Sequence, residues 1–234
     1  MTLHRLTAIE LGVPDPPACV AFYRDLGLAE LAPGRLSTTA GGEQLVLKPS
    51  PRRALHELCI GVDDADDLGR IAAALARLGV SSQPGPGTLL AIEPVTGLRV
   101  RVCTAPRIGT EPAEPAPGGD ASQRAVQPSA DLAPASPRRL GHVVIASTDA
   151  PATQRFFLDG LGLKLTDRLE EVGAAFMRCS SDHHDVIVQP GPRFYLHHAA
   201  WELPDVNAVG RVATRMLDRD PARHLWGLGR HTVG

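Results

Sequence analysis

The sequence predicts an α+β protein made of tandem βαβββ-like units, and three observations lead there. The chain repeats itself, each repeat pairs a β-rich segment with a capped helix, and a Pro- and Ala-rich stretch separates the two copies. Residues 6–25 (LTAIELGVPDPPACVAFYRD) align without gaps on 140–159 (LGHVVIASTDAPATQRFFLD), and after one inserted residue, Gly160, both copies continue Leu-Gly-Leu. A second match sets 55–75 on 196–216, sharing Leu-His, an Asp and Gly-Arg. Periods near 135 to 141 residues are too long for a solenoid and indicate domain duplication.

Each element follows from local chemistry. In the first copy Asp15 precedes Pro16 and Pro17, and Asp64 precedes an apolar-periodic run at 71–78; both are helix starts, because an aspartate can accept the free amides of a first turn. In the second copy 140–147 is β-rich, and Asp149 caps a helix that begins near Pro151, carries Phe156 and Phe157, and closes at 161–163. Asp205 caps 206–217, with Val209, Val212, Ala213 and Met216 at helical spacing. Residues 106–137 lack either periodicity and read as an extended linker. The expected organisation is a domain at 1–105, the linker at 106–137 and a second domain at 138–234, whose last unit is expected to be incomplete at Gly234.

Composition narrows the function. At 234 residues the chain suits two small domains, and 43% apolar with 21% charged residues is ordinary for a globular protein. A net charge of −2 gives no reason to expect a nucleic-acid or anionic-membrane partner. No strictly apolar stretch exceeds six residues, against roughly 20 for a membrane span, and the first residues lack the apolar core of a secretory signal, so a cytoplasmic location is expected. Cys19, Cys59, Cys103 and Cys179 are widely spaced and read as reduced thiols. Histidine is uneven: only His4 and His56 precede residue 142, and seven of the nine lie between 142 and 231, which marks the second half as the chemical one.

Alternation sorts those histidines. In 140–146, His142 shares a face with Val144 and Ala146; in 196–203, His198 shares one with Ala200, opposite Ala199, Trp201 and Leu203. Along 181–189, His184 falls with Val186 and Val188, while His183 falls with Asp185 and Gln189 and is expected to be solvated. The duplication adds a contrast. Ala8 stands where His142 stands and Glu57 where His198 stands, whereas His197 matches His56. A histidine present in both copies reads as scaffold; those confined to the second copy are the candidates for chemistry.

The strand Leu-Gly-His-Val-Val at 140–144, His-His-Asp at 183–185, Leu-His-His-Ala-Ala-Trp-Glu-Leu at 196–203 and Leu-Gly-Arg-His-Thr at 228–232 together resemble the type I extradiol ring-cleaving dioxygenases, of catechol 2,3-dioxygenase type, in the vicinal oxygen chelate superfamily. The resemblance implies two cupped mixed sheets with iron in the second only. It implies a site of two histidines and one carboxylate that leaves positions on Fe(II), or Mn(II), open to substrate and dioxygen. By motif, His142 and His198 would be the imidazole ligands. His184 would be the acid/base residue toward the catechol, and His231 would line the pocket and hydrogen-bond the substrate. The reaction implied is cleavage of a catechol-type ring beside its two hydroxyls with O2.

The family's carboxylate ligand comes from a hairpin some 20 to 30 residues past Gly-Arg-His, and this sequence ends three residues after His231, so the 234-residue chain is expected to lack it. The equivalent hairpin of the first copy, 93–101, puts Arg101 where a ligand would stand, so the first domain is expected to be metal-free. Glu202 is four residues past His198, about 13 Å along a strand at about 3.3 Å per residue, and Asp185 reads as outward, so neither replaces the ligand. The alternatives are a non-catalytic protein of the same superfamily that binds a small aromatic or an antibiotic, and a metal-dependent lyase or isomerase. A homo-oligomer is expected, since an unfinished unit leaves a sheet edge.

Overall fold

The structure, a computed structural model, describes residues 3–109, 134–227 and 229. The first repeat holds two units. One runs β1 (Arg5–Val13), α1 (Pro16–Leu26), β2 (Ala29–Ala32), β3 (Arg35–Thr38) and β4 (Gly42–Pro49); the other runs β5 (Ala54–Val62), α2 (Ala65–Arg77), β6 (Ser82–Gly85), β7 (Thr88–Ile92) and β8 (Arg99–Thr104). They join in one eight-stranded sheet of order β2-β3-β4-β1-β5-β8-β7-β6. The second repeat supplies β9 (Arg139–Ser147), α3 (Ala150–Arg155), β10 (Lys164–Leu169), β11 (Ala174–Arg178) and β12 (Val186–Pro190), then β13 (Tyr195–Glu202) and α4 (Val206–Arg219), in a five-stranded sheet of order β10-β11-β12-β9-β13. The central register is the same in both: β1 is parallel to β4 and antiparallel to β5, as β9 is parallel to β12 and antiparallel to β13.

All four aspartates read as caps act as caps. Asp15, Asp64, Asp149 and Asp205 accept from the amides of Ala18, Asp67, Ala152 and Ala208 at 2.7–3.0 Å. Gly27 and Gly162 then end α1 and its counterpart in left-handed geometry, at φ 111° and 87°. The one-residue insertion between the repeats has a structural form: after α3 the helix widens into a π-helical turn, Phe156–Leu161, which absorbs Gly160 without shifting the flanking strands. Gly160 faces α2, and a Cβ there would lie 2.9 Å from Leu75 and 3.2 Å from Leu78. A side chain there would have to displace the Leu75 methyl group.

The two repeats share one core. Leu6, Ile9, Leu58, Ile60, Ile71 and Leu75 belong to the same buried cluster as Val143, Ile145, Phe156, Phe157 and Leu161. Burial of side chains of this size contributes about 1.5–3 kcal/mol each. Hydrogen bonds cross the seam as well. The wholly buried Gln44 accepts from the Leu140 amide at 2.7 Å and donates to Leu6 O at 3.1 Å. Arg138 O accepts from Ala40 N and Gly41 N, and Pro137 O from Thr39 N. The end of the stretch expected as linker is therefore docked: Ala135 is buried against Ala208 and Val212 of α4. Among the described residues no helix is long and apolar enough to cross a membrane.

Candidate active site

The second sheet has one face in the shared core and one that carries the histidines. Val143 and Ile145 point into the core, while Val144 joins Ala174, Phe176 and Ile187 in a small separate cluster on the other face. His142 lies on that second face by alternation, two residues before Val144. On β13 the pairs Leu196 with Ile145, His198 with Val144 and Ala200 with His142 leave His197 as an extra residue, a β-bulge. The bulge puts His198 on the face of His142 while Leu196 stays on the core side. The first repeat has the same bulge at His56, between the pairs Glu10 with Glu57 and Leu11 with Leu55. His56 lies over Gly12, where a Cβ would meet its ring at 2.3 Å. The histidine common to both repeats thus marks a bulge.

Three imidazoles meet on this face. His142 Nε2 and His198 Nε2 are 3.1 Å apart, and the His142 and His184 ring centroids are 4.4 Å apart. Phe176 packs edge-on against His184 with centroids 5.2 Å apart. Neighbouring histidines extend the group: His183 Nδ1 is 3.0 Å from His184 Nδ1, and His197 Nδ1 is 2.8 Å from His198 Nδ1. His183 is exposed, in keeping with the sequence reading. His231 lies outside the described residues.

The route by which His184 arrives differs from the alternation argument. Val186 and Val188 pack in the main core, and His184 sits in the turn before β12, where strand alternation no longer applies. Asp185, read as outward, is 1% exposed. It accepts hydrogen bonds from the amides of Cys179 and Ser180 and from the Ser180 hydroxyl at 2.7–3.0 Å. Burial pushes its carboxyl above the usual range against the pull of these donors. Burial likewise pushes the Cys179 thiol well up, so this cysteine is an inert packing residue.

Two imidazole nitrogens bound to one divalent ion at about 2.1 Å and at a right angle lie roughly 3.0 Å apart, and the His142–His198 separation fits that spacing. The nearby acids have other partners. Arg139 bridges Asp182 at 2.9 Å and Glu202 at 2.5 Å, and Asp185 is taken by its turn. Among the described residues no three histidine, cysteine, aspartate or glutamate side chains are placed to hold a metal together. A cavity of about 520 Å³ lies between α1 and the start of β13, lined by Phe22, Tyr23, Tyr195, Leu196 and His198, and neither His142 nor His184 lines it.

The first sheet holds no histidine at the matching positions. Glu57, the counterpart of His198, accepts from Arg101 Nε at 2.6 Å and Nη2 at 3.1 Å and from Arg99 Nε at 3.0 Å. Burial alone would raise its carboxyl, but the arginine hydrogen bonds outweigh that and hold it below the usual range. Sequence reasoning placed Arg101 near a ligand position but missed this closed ion pair, which couples strands 42 residues and more apart.

Residues 139–232 match the Glyoxalase/Bleomycin resistance protein/Dioxygenase superfamily. Over 99% of its length the chain is 28% identical to Metapyrocatechase 2 of Cupriavidus necator, covering 75% of that protein. It is 26% identical to the biphenyl-2,3-diol 1,2-dioxygenase of Pseudomonas sp. (strain KKS102), covering 99% of this chain and 83% of the relative. The fold superposes with a TM-score of 0.74 on the Mn(II)-bound glyoxalase from Novosphingobium aromaticivorans at 22% identity, covering 94% of this chain and 72% of that one. Residues 139–232 thus match the glyoxalase/bleomycin resistance protein/dioxygenase superfamily, and over nearly its whole length the chain is similar in sequence to two extradiol ring-cleaving dioxygenases, with a sheet topology that agrees.

Proposed function

We propose that this protein cleaves a catechol-type aromatic ring beside its two hydroxyls, using O2 and Fe(II), with Mn(II) as the alternative ion. The observation that carries the reading is the 3.1 Å approach of His142 Nε2 to His198 Nε2, with the His184 ring against His142. His142 and His198 would hold the ion, which when bound supplies a Lewis acid for the two catechol oxygens and a place for O2. His184 is half-buried beside His142, where its imidazole would take a proton from a substrate hydroxyl and return it later. Val144, Phe176 and Ile187 form a buried apolar cluster on the histidine face, which keeps water from beneath the site. His231 would hydrogen-bond the substrate oxygen, as its motif implies. The matches to a metapyrocatechase and a biphenyl-diol dioxygenase support the substrate class. A homo-oligomer acting in the cytoplasm completes the proposal.

The test is oxygen uptake by the chain loaded anaerobically with Fe(II) or Mn(II), with catechol and 2,3-dihydroxybiphenyl as substrates. The expected result is metal-dependent uptake, with both atoms of labelled O2 in the product. Substrate-induced thermal stabilisation that persists with a chelator, without oxygen uptake, would replace this reading with a non-catalytic binding protein. Turnover without oxygen incorporation would point to a lyase or isomerase.

A further inference from the structure

Asp185 is a buried carboxylate to which the proposed reaction gives no part. It follows His184 at the end of the turn between β11 and β12. Its side chain closes the mouth of that turn, accepting from Cys179 N at 2.7 Å, Ser180 N at 2.9 Å and the Ser180 hydroxyl at 2.9 and 3.0 Å. The Ser180 oxygen in turn accepts from Asp182 N at 3.1 Å, inside the same turn. The backbone of Asp185 is committed to the sheet. Its amide donates to Met177 O at 2.8 Å, and its carbonyl accepts at 3.0 Å from the amide of Val143, the residue after His142. One residue therefore fastens both ends of the 179–185 turn and ties it to β9 beside His142.

Three donors converge on this carboxylate, and only an acceptor with several lone pairs serves them all. An asparagine could keep its one oxygen for the two amides, but its NH2 group would then face the Ser180 hydroxyl, which would have to turn from donating to accepting while it already accepts from the Asp182 amide. Elsewhere the turn is tied at Asp182, which Arg139 bridges at 2.9 Å, and Phe176 packs edge-on against the His184 ring; the clamp at Asp185 is what joins the two ends of the turn next to His184. We propose that Asp185 is a positioning residue, whose clamp on Cys179 and Ser180 sets the His184 imidazole against His142. This rests on the reading of His142 and His184 as parts of one site, but the geometry it predicts exists in the metal-free chain.

The test uses the full chain with isotope-labelled histidine, without metal or substrate, and compares wild type with Asp185→Asn and Ser180→Ala. Imidazole NMR signals and the ring-to-ring NOE between His184 and His142 are recorded, with thermal unfolding to establish that each variant is folded. The expected result is a shift of the His184 ring signals and loss of that NOE in both folded variants, while the His56 ring signals stay in place. Unchanged His184 signals and an intact NOE in folded Asp185→Asn would overturn the proposal. If Asp185→Asn does not fold, Ser180→Ala decides alone by the same two readouts. No oxygen uptake enters, so failure of the dioxygenase reading would leave this result standing.

Discussion

The two sheets solve the same backbone problem and end with opposite chemistry. At the matching pair of positions the first has Ala8 and Glu57 and the second has His142 and His198. In the first, two arginines occupy the carboxylate, so its lone pairs are already spent. In the second, two ring nitrogens approach at 3.1 Å on a face with an apolar floor. A shared bulge, at His56 and at His197, aims both positions the same way. The difference teaches that duplication preserved the register and freed the side chains at two positions. One copy was left to act as scaffold and the other to carry the candidate chemistry.

The comparison breaks most sharply at the histidines. Replacing His198 by alanine is expected to abolish metal uptake by the metal-loaded chain, while thermal stability stays near that of wild type because His198 is exposed. Metal content after desalting, with a melting curve, checks this. Glu57→Ala acts on the opposite property. It leaves Arg99 and Arg101 without their partner and should cost about 1–3 kcal/mol in denaturant unfolding without changing metal content.

The scaffold role of the first repeat can be tested at the seam. Gln44→Ala removes the buried acceptor of the Leu140 amide, two residues before His142, and should cost about 1–3 kcal/mol of stability. Gly160→Val would push a side chain into Leu75 and should cost a similar 1–3 kcal/mol, about what overpacking a core costs. Urea unfolding of each variant measures both.

A smaller effect depends on pH. The Glu57 carboxyl is held below its ordinary range in the folded state, so the unfolded chain binds more protons in mild acid. The stabilisation from its ion pairs is fully present above the unfolded value, near pH 4.3, and is lost as pH falls through the lower folded value. Glu57→Gln should flatten this acid loss. A stability profile from pH 6 to pH 3 that is identical in both proteins would contradict it.

The sequence made much of this fold legible because much of it is local. The four aspartate caps and the strand-helix order rest on contacts within a few residues, and periodicity reads such contacts well. The inserted Gly160 was visible too, although its π-helical form was not. What escaped was non-local or lay outside regular structure. The phase of alternation fails at His184 because a turn clamped by Asp185 intervenes. The links from Glu57 to Arg101 and from Gln44 to Leu140 join residues 44 and 96 positions apart, and nothing in the spacing of either residue announces its partner.

The central claim, that the second sheet holds a metal ion and the first does not, is tested most directly by paramagnetic broadening. Mn(II) titrated into the isotope-labelled chain should broaden the signals of His142, His184 and His198 first and leave those of Ala8, Glu57 and Arg101 sharp at the same ratio. Broadening centred on the first sheet, or spread evenly over both, would contradict the account.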